Sequence, residues 1–599
     1  MASNNGSYDV AIVGGGPAGS TAATLLKKYA PELRVIVLEK EIFPRDHIGE
    51  SMLPPICTIL DEMGVWDEIE AINFPIKIGA SYTWGRDSDR WDFDFYPIEK
   101  WRDEPRPGKF EGQRRFTAFQ VDRSRYDKIL LDHVRSRSVE VRQGTRVEEV
   151  HVSNDSIDGL RLDSGDTINA KYYIDASGTV ALFRRALGIG IDPKLELRNI
   201  AVWDYWRDAH WAVRIGGSAT RIQVRSLPYG WIWFITIGDD RTSIGVVCPA
   251  EYYKETGLTA EELYHKSLRL QPEIWKLLDH ARPEGRITTC RDWSHLADRA
   301  VGPNWFLCGE AAGFADPILS AGMTLAHQSA RDAAYTILEY GRGDHDPAWL
   351  RQRYDQKQRG TIRQHIQFAQ YWYAANSCFT ELKEHCASIA HQAGLNLDPQ
   401  EAWAWLSQGG FTTESETIAS AATLDPASTK KLLELFDVEQ RKPTWLIDGY
   451  NVFKLDLRGA EVQRIGILDR GRIQAVPCYV RNGRRLPMAG YYVRMIEILR
   501  VTSDFVTMVE LIEKSLPGNS SIDAQTRQLL RSQHFQVLEI MVHDGWVERK
   551  LNDKLPRLCV ADNIEHIRLS REGNAAIRRA GRSDLVRSRI DDLVDEPGS

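Results

Sequence analysis

The pattern of hydrophobic and polar positions divides the chain into stretches of different character. A short apolar strand at Val10–Val13 is followed by a helix and a second apolar strand at Val35–Leu38, which is the order of a βαβ unit. Residues 195 to 290 alternate between apolar and polar side chains, which predicts an antiparallel sheet. Residues 501 to 599 show longer helical patterns. The chain is therefore predicted to be an α/β protein with a separate sheet and a mostly helical C-terminal region.

Three glycines after the first strand have the spacing GxGxxG. Gly14 permits a tight turn, Gly16 lets the backbone approach a pyrophosphate, and Gly19 lets the helix pack against the strand. The phosphates would then lie on the amide dipoles of the helix N-terminus. Glu39 ends the second strand, where its carboxylate suits a ribose 2′-hydroxyl and would repel a 2′-phosphate. These features predict a Rossmann-type site for a dinucleotide.

The stretch GWIWFITI places Trp231 and Trp233 two residues apart in one predicted strand. Side chains alternate with period two along a strand, so both indoles point to the same face. They are either core of the sheet or the wall of a cavity. The chain has 18 tryptophans, which indicates large apolar or aromatic pockets.

Composition narrows the classes of function. The 599 residues are 43% hydrophobic and 27% charged, with a net charge of −7, so no field attracts nucleic acid or an anionic membrane. The eight cysteines form no CxxC pair, which fits a reducing cytoplasm and predicts neither a metal site nor a disulfide framework. The start lacks signal-peptide features, and no apolar run is long enough to cross a membrane. We therefore expect a cytoplasmic protein.

Three later segments resemble the FAD motifs of para-hydroxybenzoate hydroxylase-like flavoproteins. GEAAGFADP resembles their motif GDAAHxxxP, with Glu310 replacing the usual aspartate and Pro317 at the proline. YYIDASG contains Asp175, and the helix QVDRSRYDKILLDHV contains Arg123. The resemblance implies a glutathione-reductase-type FAD domain without a separate NAD(P)H domain. The cofactor-binding residues it implies, together with the first motif, are Gly14, Gly16, Ala18, Gly19, Glu39, Lys40, Arg45, Arg123, Val147, Asp175, Glu310, Pro317 and Gly322.

Three further segments resemble flavin-dependent halogenases over residues 7 to about 380. The segment FPRDHIGESMLPP matches their pattern RxxxGESxxP and contains Glu50. Lys77, just before an alternating strand, has a setting similar to that of the essential halogenase lysine. GWIWFITI resembles their motif WxWxIP, with Thr236 at the proline position. The likeness is to halogenases of phenols, pyrroles or acyl groups, such as the chloramphenicol-pathway type.

The halogenase resemblance implies a role for each candidate residue. In this chemistry FADH2 from a separate flavin reductase and dioxygen oxidise chloride or bromide to hypohalous acid. Lys77 would guide that oxidant, and Glu50 would assist proton transfer. The paired tryptophans would keep substrate from the flavin. Helix-start amides at Ala321 and Gly322 would bind the halide, and Tyr373 with Asn376 would lie near a small-molecule or carrier-protein-bound substrate.

The residues themselves leave plainer interpretations open. The alternatives are sheet core for Trp231 and Trp233, a surface position for Lys77, an ion pair with Arg45 for Glu50, an ordinary helix start at Ser320–Met323, and a plain helix face for Tyr373. Rival functions are a flavin monooxygenase, a geranylgeranyl-type reductase and a flavin-bound redox sensor. The monooxygenase needs neither the lysine nor the paired tryptophans, the reductase needs a long apolar tunnel, and the sensor needs a basic recognition helix.

The predicted domains follow from these segments. Residues 1–195 and 291–380 form the FAD-binding domain, 196–290 the substrate-binding sheet, 381–500 a mixed region that could cover the active site, and 501–599 a C-terminal domain.

The C-terminal domain resembles a winged helix in the order of its elements, helices followed by a turn at Asp544-Gly545 and a short strand. Winged helices often bind DNA, but the acidic chain and the tail RIDDLVDEP speak against it. Capping or docking of a carrier protein is the favoured role. Upstream, Asp469-Arg470-Gly471 and Asn482-Gly483 are predicted to be hairpin turns.

Overall fold

The computed structural model describes residues 7–83, 90–96, 98–192, 198–291, 293–374, 445–481, 484–516, 524–560 and 567–569. Contacts between residues divide them into two compact units. The first contains the described residues as far as Ala374, together with Leu468–Ile473. The second contains the remaining described residues from 445 onward.

The first unit contains most of the strands and helices. Its strands are β1 Tyr8–Val13, β2 Val35–Leu38, β3 Ile76–Thr83, β4 Arg90–Asp94, β5 Ala118–Phe119, β6 Glu140–Arg142, β7 Val147–Ser153, β8 Ser156–Leu162, β9 Thr167–Ile168, β10 Ala170–Asp175, β11 Asn199–Arg207, β12 Ala219–Leu227, β13 Gly230–Thr236, β14 Arg241–Pro249, β15 Arg282–Pro283, β16 Thr288–Arg291, β17 His295–Leu296, β18 Trp305–Leu307 and β19 Gly313–Phe314. Its α-helices are α1 Pro17–Tyr29, α2 Pro55–Met63, α3 Trp66–Ala71, α4 Arg123–Ser136, α5 Leu182–Ala186, α6 Ala250–Thr256, α7 Ala260–Arg269, α8 Pro272–Leu277, α9 Gly322–Arg342 and α10 Pro347–Ala374.

A five-stranded sheet has the order β18-β10-β1-β2-β6, and all of its neighbouring strands are parallel. Strands β1 and β2 are almost fully apolar, as expected for a sheet covered on both faces. Helix α1 follows β1 directly and packs on α9. Ligands in such sheets bind beyond the carboxyl ends of the strands, so the loops after β1, β2, β10 and β18 define the expected site.

The second sheet is mainly antiparallel and has the order β15-β11-β14-β13-β12-β3-β4, with β16 also paired to β11 and β5 to β3. We expected a substrate sheet within residues 196–290, but its strands β3, β4 and β5 come from residues 76–119, which we assigned to the FAD-binding domain. Strand β3 pairs in parallel with β12. A parallel pair requires a long crossover, so no hairpin signal in the sequence indicates this partner.

The C-terminal elements comprise β20 Val452–Leu455, β21 Glu461–Asp469, β22 Arg472–Arg481, β23 Arg484–Pro487, α11 Gly490–Val501, α12 Phe505–Ser515, α13 Ala524–His543, β24 Val547–Lys550, β25 Leu558–Val560 and β26 Ile567–Leu569. Arg470 and Gly471 have positive φ angles in the turn between β21 and β22, as expected for this hairpin. Asn482 and Gly483 lie outside the described residues.

The core of the second unit contains α11 to α13 and aromatic side chains such as Phe505, Phe535 and Trp546. After α13 the chain turns at Gly545 into β24, as expected, but β24 pairs with β20, which precedes the helices. The winged-helix assignment and the roles suggested for residues 381–500 and 501–599 stay predictions. Most of the former range lies outside the described residues.

No described helix is both long and apolar enough to cross a bilayer. Within the part of the chain that the structure describes, His, Cys, Asp and Glu side chains form no group of three that could hold a metal ion.

Candidate active site

A cavity of about 1250 Å³ in the first unit lies beyond the carboxyl ends of the parallel sheet, with part of the second sheet as its other wall. This exceeds the usual volume of a pocket for one small ligand. Most of the predicted site residues line it: Gly14, Gly16, Ala18, Glu39, Lys40, Arg45, Glu50, Arg123, Val147, Trp231, Trp233, Glu310, Pro317 and Gly322. Gly19, Lys77, Asp175 and Ala321 do not line it. Tyr373 lies in the last turn of α10, and its side chain is outside the described residues, as is Asn376.

The glycine-rich turn brings backbone against backbone at the base of the cavity. Gly14 has a φ of +106°, and a Cβ there would lie 2.2 Å from the carbonyl oxygen of Ala176. A Cβ on Gly19 would lie 1.9 Å from the carbonyl oxygen of Gly14. Both positions therefore exclude any side chain. The N-terminus of α1 is held at the cavity wall, where the oxygens of a diphosphate would accept hydrogen bonds from its backbone amides.

Glu39 is buried, and its carboxylate is already bonded to backbone. Oε2 accepts a hydrogen bond from the amide of Gly15 at 2.7 Å, and Oε1 accepts one from the amide of Glu41 at 2.8 Å. A carboxylate has further lone pairs, so Glu39 can still accept a hydrogen bond from a ribose hydroxyl. Lys40 beside it is half exposed and pairs with Glu41 at 3.5 Å.

A buried ion-pair cluster holds the segment that carries Glu50. Arg123 donates to both carboxylate oxygens of Asp127, at 2.8 and 2.9 Å, and to the carbonyls of Ile48 and Gly49, at 2.9 and 3.0 Å. Arg45 pairs with the same Asp127 at 3.1 Å. We expected Arg123 to contact the cofactor; it lines the cavity, but its guanidinium is largely occupied in fixing this turn.

Glu50 lines the cavity and is 1% exposed. Within the described residues, neither carboxylate oxygen accepts a hydrogen bond of good geometry, although the hydroxyls of Ser243 and Tyr205 approach closely enough to favour the charged form. Burial outweighs them and raises the pKa of Glu50 to about 7. The open alternative, an ion pair with Arg45, is not the observed arrangement, because Arg45 pairs with Asp127.

Lys77 is buried in β3, so it is not a surface lysine. Burial lowers the pKa of its amine to about 7, and the amine lies 5.5 Å from the ring centre of Phe95. Lys77 is the partner of Thr220 on β12, and a register shift follows Thr220. Thr220 and Ile222 are two residues apart on β12 and therefore share a face, and cross-strand partners share a face as well. Lys77 thus lies on the same face as Ile222, which lines the cavity, although Lys77 itself does not.

The paired tryptophans form part of a three-indole wall. Their ring centres are 6.0 Å apart, both rings are buried, and both line the cavity. Trp203, on β11, also lines it, 6.4 Å from Trp233. Gly245 on β14 lies between Trp203 on β11 and Trp233 on β13, and a Cβ there would be 2.1 Å from the Trp233 ring. A glycine there is required for the indole to cover the strand.

The opposite wall is built from the segment before α9 and the first residue of that helix. Glu310, Pro317 and Gly322 line the cavity there, and burial raises the pKa of Glu310. Ser320 has a φ of +57°, which turns the chain so that Ser320 and Gly322, rather than Ala321, face the cavity. The part of the expected halide site carried by Ala321 is therefore not on the cavity wall.

Asp175, which we expected to contact the cofactor, does not line the cavity. Its carboxylate is fully buried and accepts hydrogen bonds from Ser177 Oγ at 2.6 Å and from the amide of Phe183 at 2.7 Å. It thereby fixes the turn after β10, and it is Ala176, Ser177 and Gly178 of that turn that line the cavity.

These residues fit an FAD. The glycine turn and helix start suit the diphosphate, Glu39 suits a ribose, and the remaining volume extends to the tryptophan wall. No sequence motif singled out Asp127, Trp203, Tyr205 or Ser243, which lie beside the predicted site residues. The i+4 spacing of Arg123 and Asp127 within a helix was the one usable signal.

A family model described as an FAD binding domain matches residues 7–369. A tryptophan 2-halogenase of Chondromyces crocatus is 33% identical over 380 residues, which are 62% of this chain and 69% of that protein. A 1H-pyrrole-2-carbonyl peptidyl-carrier-protein chlorinase of Pseudomonas fluorescens is 33% identical over 387 residues, 62% and 85% of the two chains. This chain belongs to the flavin-dependent halogenase family. It is thus an oxidoreductase-class enzyme of an FAD-binding family.

Solved halogenase structures share the fold. The flavin-dependent halogenase CmlS is 24% identical with a TM-score of 0.63, and the match covers 91% of this chain and 99% of CmlS. Halogenase PltM, solved with phloroglucinol and FAD, is 16% identical with a TM-score of 0.54, covering 90% and 99%. The likeness of fold therefore extends beyond the part of this halogenase that the FAD-binding family model matches.

Proposed function

We propose that this halogenase uses FADH2 and dioxygen to halogenate, and specifically to chlorinate, an electron-rich aromatic or acyl intermediate of natural-product biosynthesis. The observation that carries the proposal is the buried amine of Lys77 on the sheet face that includes Ile222 and the tryptophan wall. A lysine is costly to bury without an ionic partner. A role in handling an electrophile accounts for that cost.

Bound reduced flavin would supply the oxidising chemistry, in which FADH2, dioxygen, a halide ion and a proton give FAD, water and hypohalous acid. The protein has to deliver that acid to the substrate, which exchanges a hydrogen for the halogen and releases water. The start of α9 is a suitable halide position, because Gly322 lines the cavity and a helix N-terminus attracts anions.

Lys77 guides the oxidant in this proposal. With a pKa near 7, a large fraction of the amine is neutral at physiological pH. A neutral amine can accept a hydrogen bond from hypohalous acid, or its nitrogen can attack the halogen to form a haloamine while the hydroxyl leaves with the amine proton as water, whereas an ammonium can only donate.

Glu50 moves the proton. Its carboxyl group, with a pKa near 7, exchanges protons readily at neutral pH, which is the condition for efficient general acid–base catalysis. The proton that leaves the substrate carbon has an acceptor in this carboxylate.

Trp203, Trp231 and Trp233 exclude bulky groups and water between the nucleotide end and the sheet. This keeps substrate away from the flavin and favours halogenation over hydroxylation.

The substrate is either a free small molecule or a group on a carrier protein, and a separate flavin reductase supplies FADH2. A carrier-bound substrate is supported by the relative that chlorinates a carrier-bound pyrrole. A free phenol is supported by the shared fold of PltM, solved with phloroglucinol.

The test combines purified protein with FAD, a flavin reductase, NADH, oxygen and chloride, and offers a small electron-rich phenol or a pyrrole as substrate, with free methionine in solution to remove any oxidant that escapes. Mass spectrometry is used to look for the chlorine isotope pair. We expect chlorinated product from wild type and a loss of about 100-fold in Lys77→Leu, which removes the amine and adds no oxidisable sulfur.

Two controls define the outcome. Lys171→Leu removes an exposed strand lysine of the same unit and should keep full yield. Flavin absorbance of each variant reports whether FAD binding persists. A hydroxylated product instead of a chlorinated one would contradict the proposal and identify a monooxygenase, and equal chlorination by Lys77→Leu would contradict the role of the lysine.

A further inference from the structure

Two polar side chains beside the active site are buried, and their polar atoms have no partner among the described residues. Gln120 is 0% and Ser51 is 6% exposed. Neither the oxygen nor the nitrogen of the Gln120 amide has a hydrogen-bond partner there, and the same holds for Ser51 Oγ. Buried polar groups in folded proteins are nearly always bonded to protein or to an ordered water molecule. Three such atoms in two neighbouring residues therefore mark a place for a molecule of about the size of water that can donate and accept hydrogen bonds.

Backbone pairing fixes where these side chains lie. Ser51 and Gln120 form an antiparallel bridge with each other. The bridge is held on either side by the amide of Val121 bonded to the carbonyl of Glu50, at 2.8 Å, and by the amide of Met52 bonded to the carbonyl of Phe119, at 3.0 Å. Residues directly opposite in such a pair share one face, with Cβ atoms about 5 Å apart.

The same face carries Lys77. Ala118 is the antiparallel partner of Lys77 in β3, and Gln120 follows Ala118 by two residues. Positions two apart in a strand point the same way, so Gln120 is the diagonal neighbour of Lys77 at about 7–8 Å between backbones, within reach of two long side chains. The amide of Gln120 also bonds to the carbonyl of Pro75 at 2.9 Å, which continues this register.

The other end of the pair opens to the cavity. Ser51 and Glu50 line the cavity, whereas Lys77 and Gln120 do not. Going inward from the cavity, the residues follow in the order Ser51, Gln120 and Lys77. This row of side chains leads from the space that suits the flavin to the buried amine.

We propose that Ser51 and Gln120 form a binding site for one small hydroxyl-bearing molecule, hypohalous acid, on its way from the cavity to Lys77. This inference rests on the proposed halogenase reaction. The Gln120 amide offers an acceptor for the O–H of the acid and a donor for its oxygen, and Ser51 offers both from a single hydroxyl. No covalent bond forms at the site, which only holds the acid until it meets the amine.

The test measures how much oxidant reaches the substrate. Gln120→Leu and Ser51→Ala keep similar or smaller volumes without the polar atoms and add no oxidisable sulfur. For each we would measure chlorinated product per FADH2 consumed, and hypochlorous acid released to solution, trapped by free methionine as the sulfoxide with catalase present. We expect product per FADH2 to fall about tenfold in Gln120→Leu, as for loss of one hydrogen bond, while methionine sulfoxide rises to match.

A matched control separates binding from folding. Gln223 is also a buried strand glutamine, but its amide donates to the carbonyl of Arg221 at 3.1 Å and accepts from Arg225 at 2.6 Å. Gln223→Leu should lower the melting temperature and leave the product per FADH2 unchanged. Gln120→Leu should keep or raise the melting temperature, because it breaks no protein hydrogen bond.

The outcomes are distinct. Wild type that chlorinates, together with a Gln120→Leu variant that yields as much product per FADH2 and leaks no more oxidant, would overturn this site and leave the proposed function standing. A melting temperature that falls in Gln120→Leu as in Gln223→Leu, at full yield, would assign Gln120 a structural role and also overturn it. Wild type that makes no halogenated product would overturn both proposals.

Discussion

The two walls of the cavity treat buried charge in opposite ways. On the nucleotide side, Arg123, Arg45 and Asp127 neutralise one another, and Glu39 is bonded to two backbone amides. On the sheet side, Glu50 and Lys77 are equally buried but are not paired with each other, and both pKa values are displaced to about 7. The first arrangement fixes a shape; the second leaves groups free to exchange protons.

The difference separates binding from chemistry. Paired charges are rigid and lose their reactivity, so the nucleotide side suits a cofactor that has to be held still. Buried ionisable groups that lack an ion pair destabilise the fold, so their presence on the sheet side has to be offset by function. Substitutions on the nucleotide side should therefore cost stability, whereas those on the sheet side should change reactivity, and some of them should gain stability.

The largest effect is expected from Asp127→Asn. It removes the charge to which Arg123 and Arg45 are paired, and loss of one partner from a buried pair costs about 3–5 kcal/mol. The turn at Gly49, held by Arg123, loosens with it. We expect a markedly lower melting temperature and weaker FAD binding, measured by thermal unfolding with and without FAD.

The control for Asp127 is Asp132→Asn on the same helix, whose half-exposed carboxylate pairs with Lys128 and Arg135. Exposed pairs contribute about 0–1 kcal/mol. Equal melting temperatures for the two variants would show that the buried cluster does not hold the nucleotide side together.

Lys77→Met should act in the opposite direction and stabilise the fold. Burial lowers the amine pKa from 10.5 to about 7, so between those values the unfolded chain holds the proton that the folded protein has lost, and wild-type stability rises with pH. The gain from Lys77→Met is therefore largest near pH 7, on the order of a few kcal/mol, and shrinks towards pH 10.

Melting temperatures of Lys77→Met and wild type at several pH values check this dependence. Lys171→Met, at an exposed strand position, should give a small difference that does not change with pH. A stability gain for Lys77→Met that stayed constant from pH 7 to pH 10 would mean that the amine is not desolvated.

How far the sequence predicted this site depends on whether local residues determine the geometry. The GxGxxG turn was predictable because Gly14, Gly16 and the start of α1 are adjacent in the chain. The shared face of Trp231 and Trp233 followed from strand period alone. The glycine requirement at position 14 has a second cause that lies far away in sequence, the carbonyl of Ala176.

What the sequence could not predict depends on register and crossovers. The face of Lys77 is set by a bulge relative to β12, and Trp203 joins the indole wall because β14 lies between β11 and β13. Neither neighbour is close in sequence. Gln120 carried no motif of its own; its burial and its bridge to Ser51 are tertiary facts.

Gly245→Ala is expected to disturb the wall without touching a charged group. The new methyl group would lie 2.1 Å from the Trp233 ring, so the indole has to move, at a cost of about 1–3 kcal/mol. We expect hydroxylated by-product in the phenol assay as the barrier to the flavin opens. Gly238→Ala, in the same hairpin, meets its first neighbouring atom at 3.9 Å and should keep the wild-type product ratio. Equal ratios in both would mean that the indole position does not govern the outcome.

The smallest effect, and the sharpest test of the sheet side, is a shift in pH dependence. The pKa of Glu50 is raised by burial and lowered by Ser243, Tyr205, Arg123 and Arg241. Arg241 is itself paired with Asp122 and Glu284. Ser243 accepts a hydrogen bond from Trp233 Nε1 at 3.1 Å, so its own proton is left to donate to Glu50.

Ser243→Ala removes that donor and should raise the pKa of Glu50 further, by about half a unit to one unit. The limb of the pH–rate profile near pH 7 then moves to higher pH, whether Glu50 acts as acid or as base. Tyr205→Phe removes the other hydroxyl without disturbing Trp233 and should move the limb in the same direction. Thr242→Val, on the opposite face of β14, should leave it in place. A limb that stays fixed in both hydroxyl variants would show that the ionisation near pH 7 belongs to another group, with Lys77 the first candidate because its pKa lies in the same range.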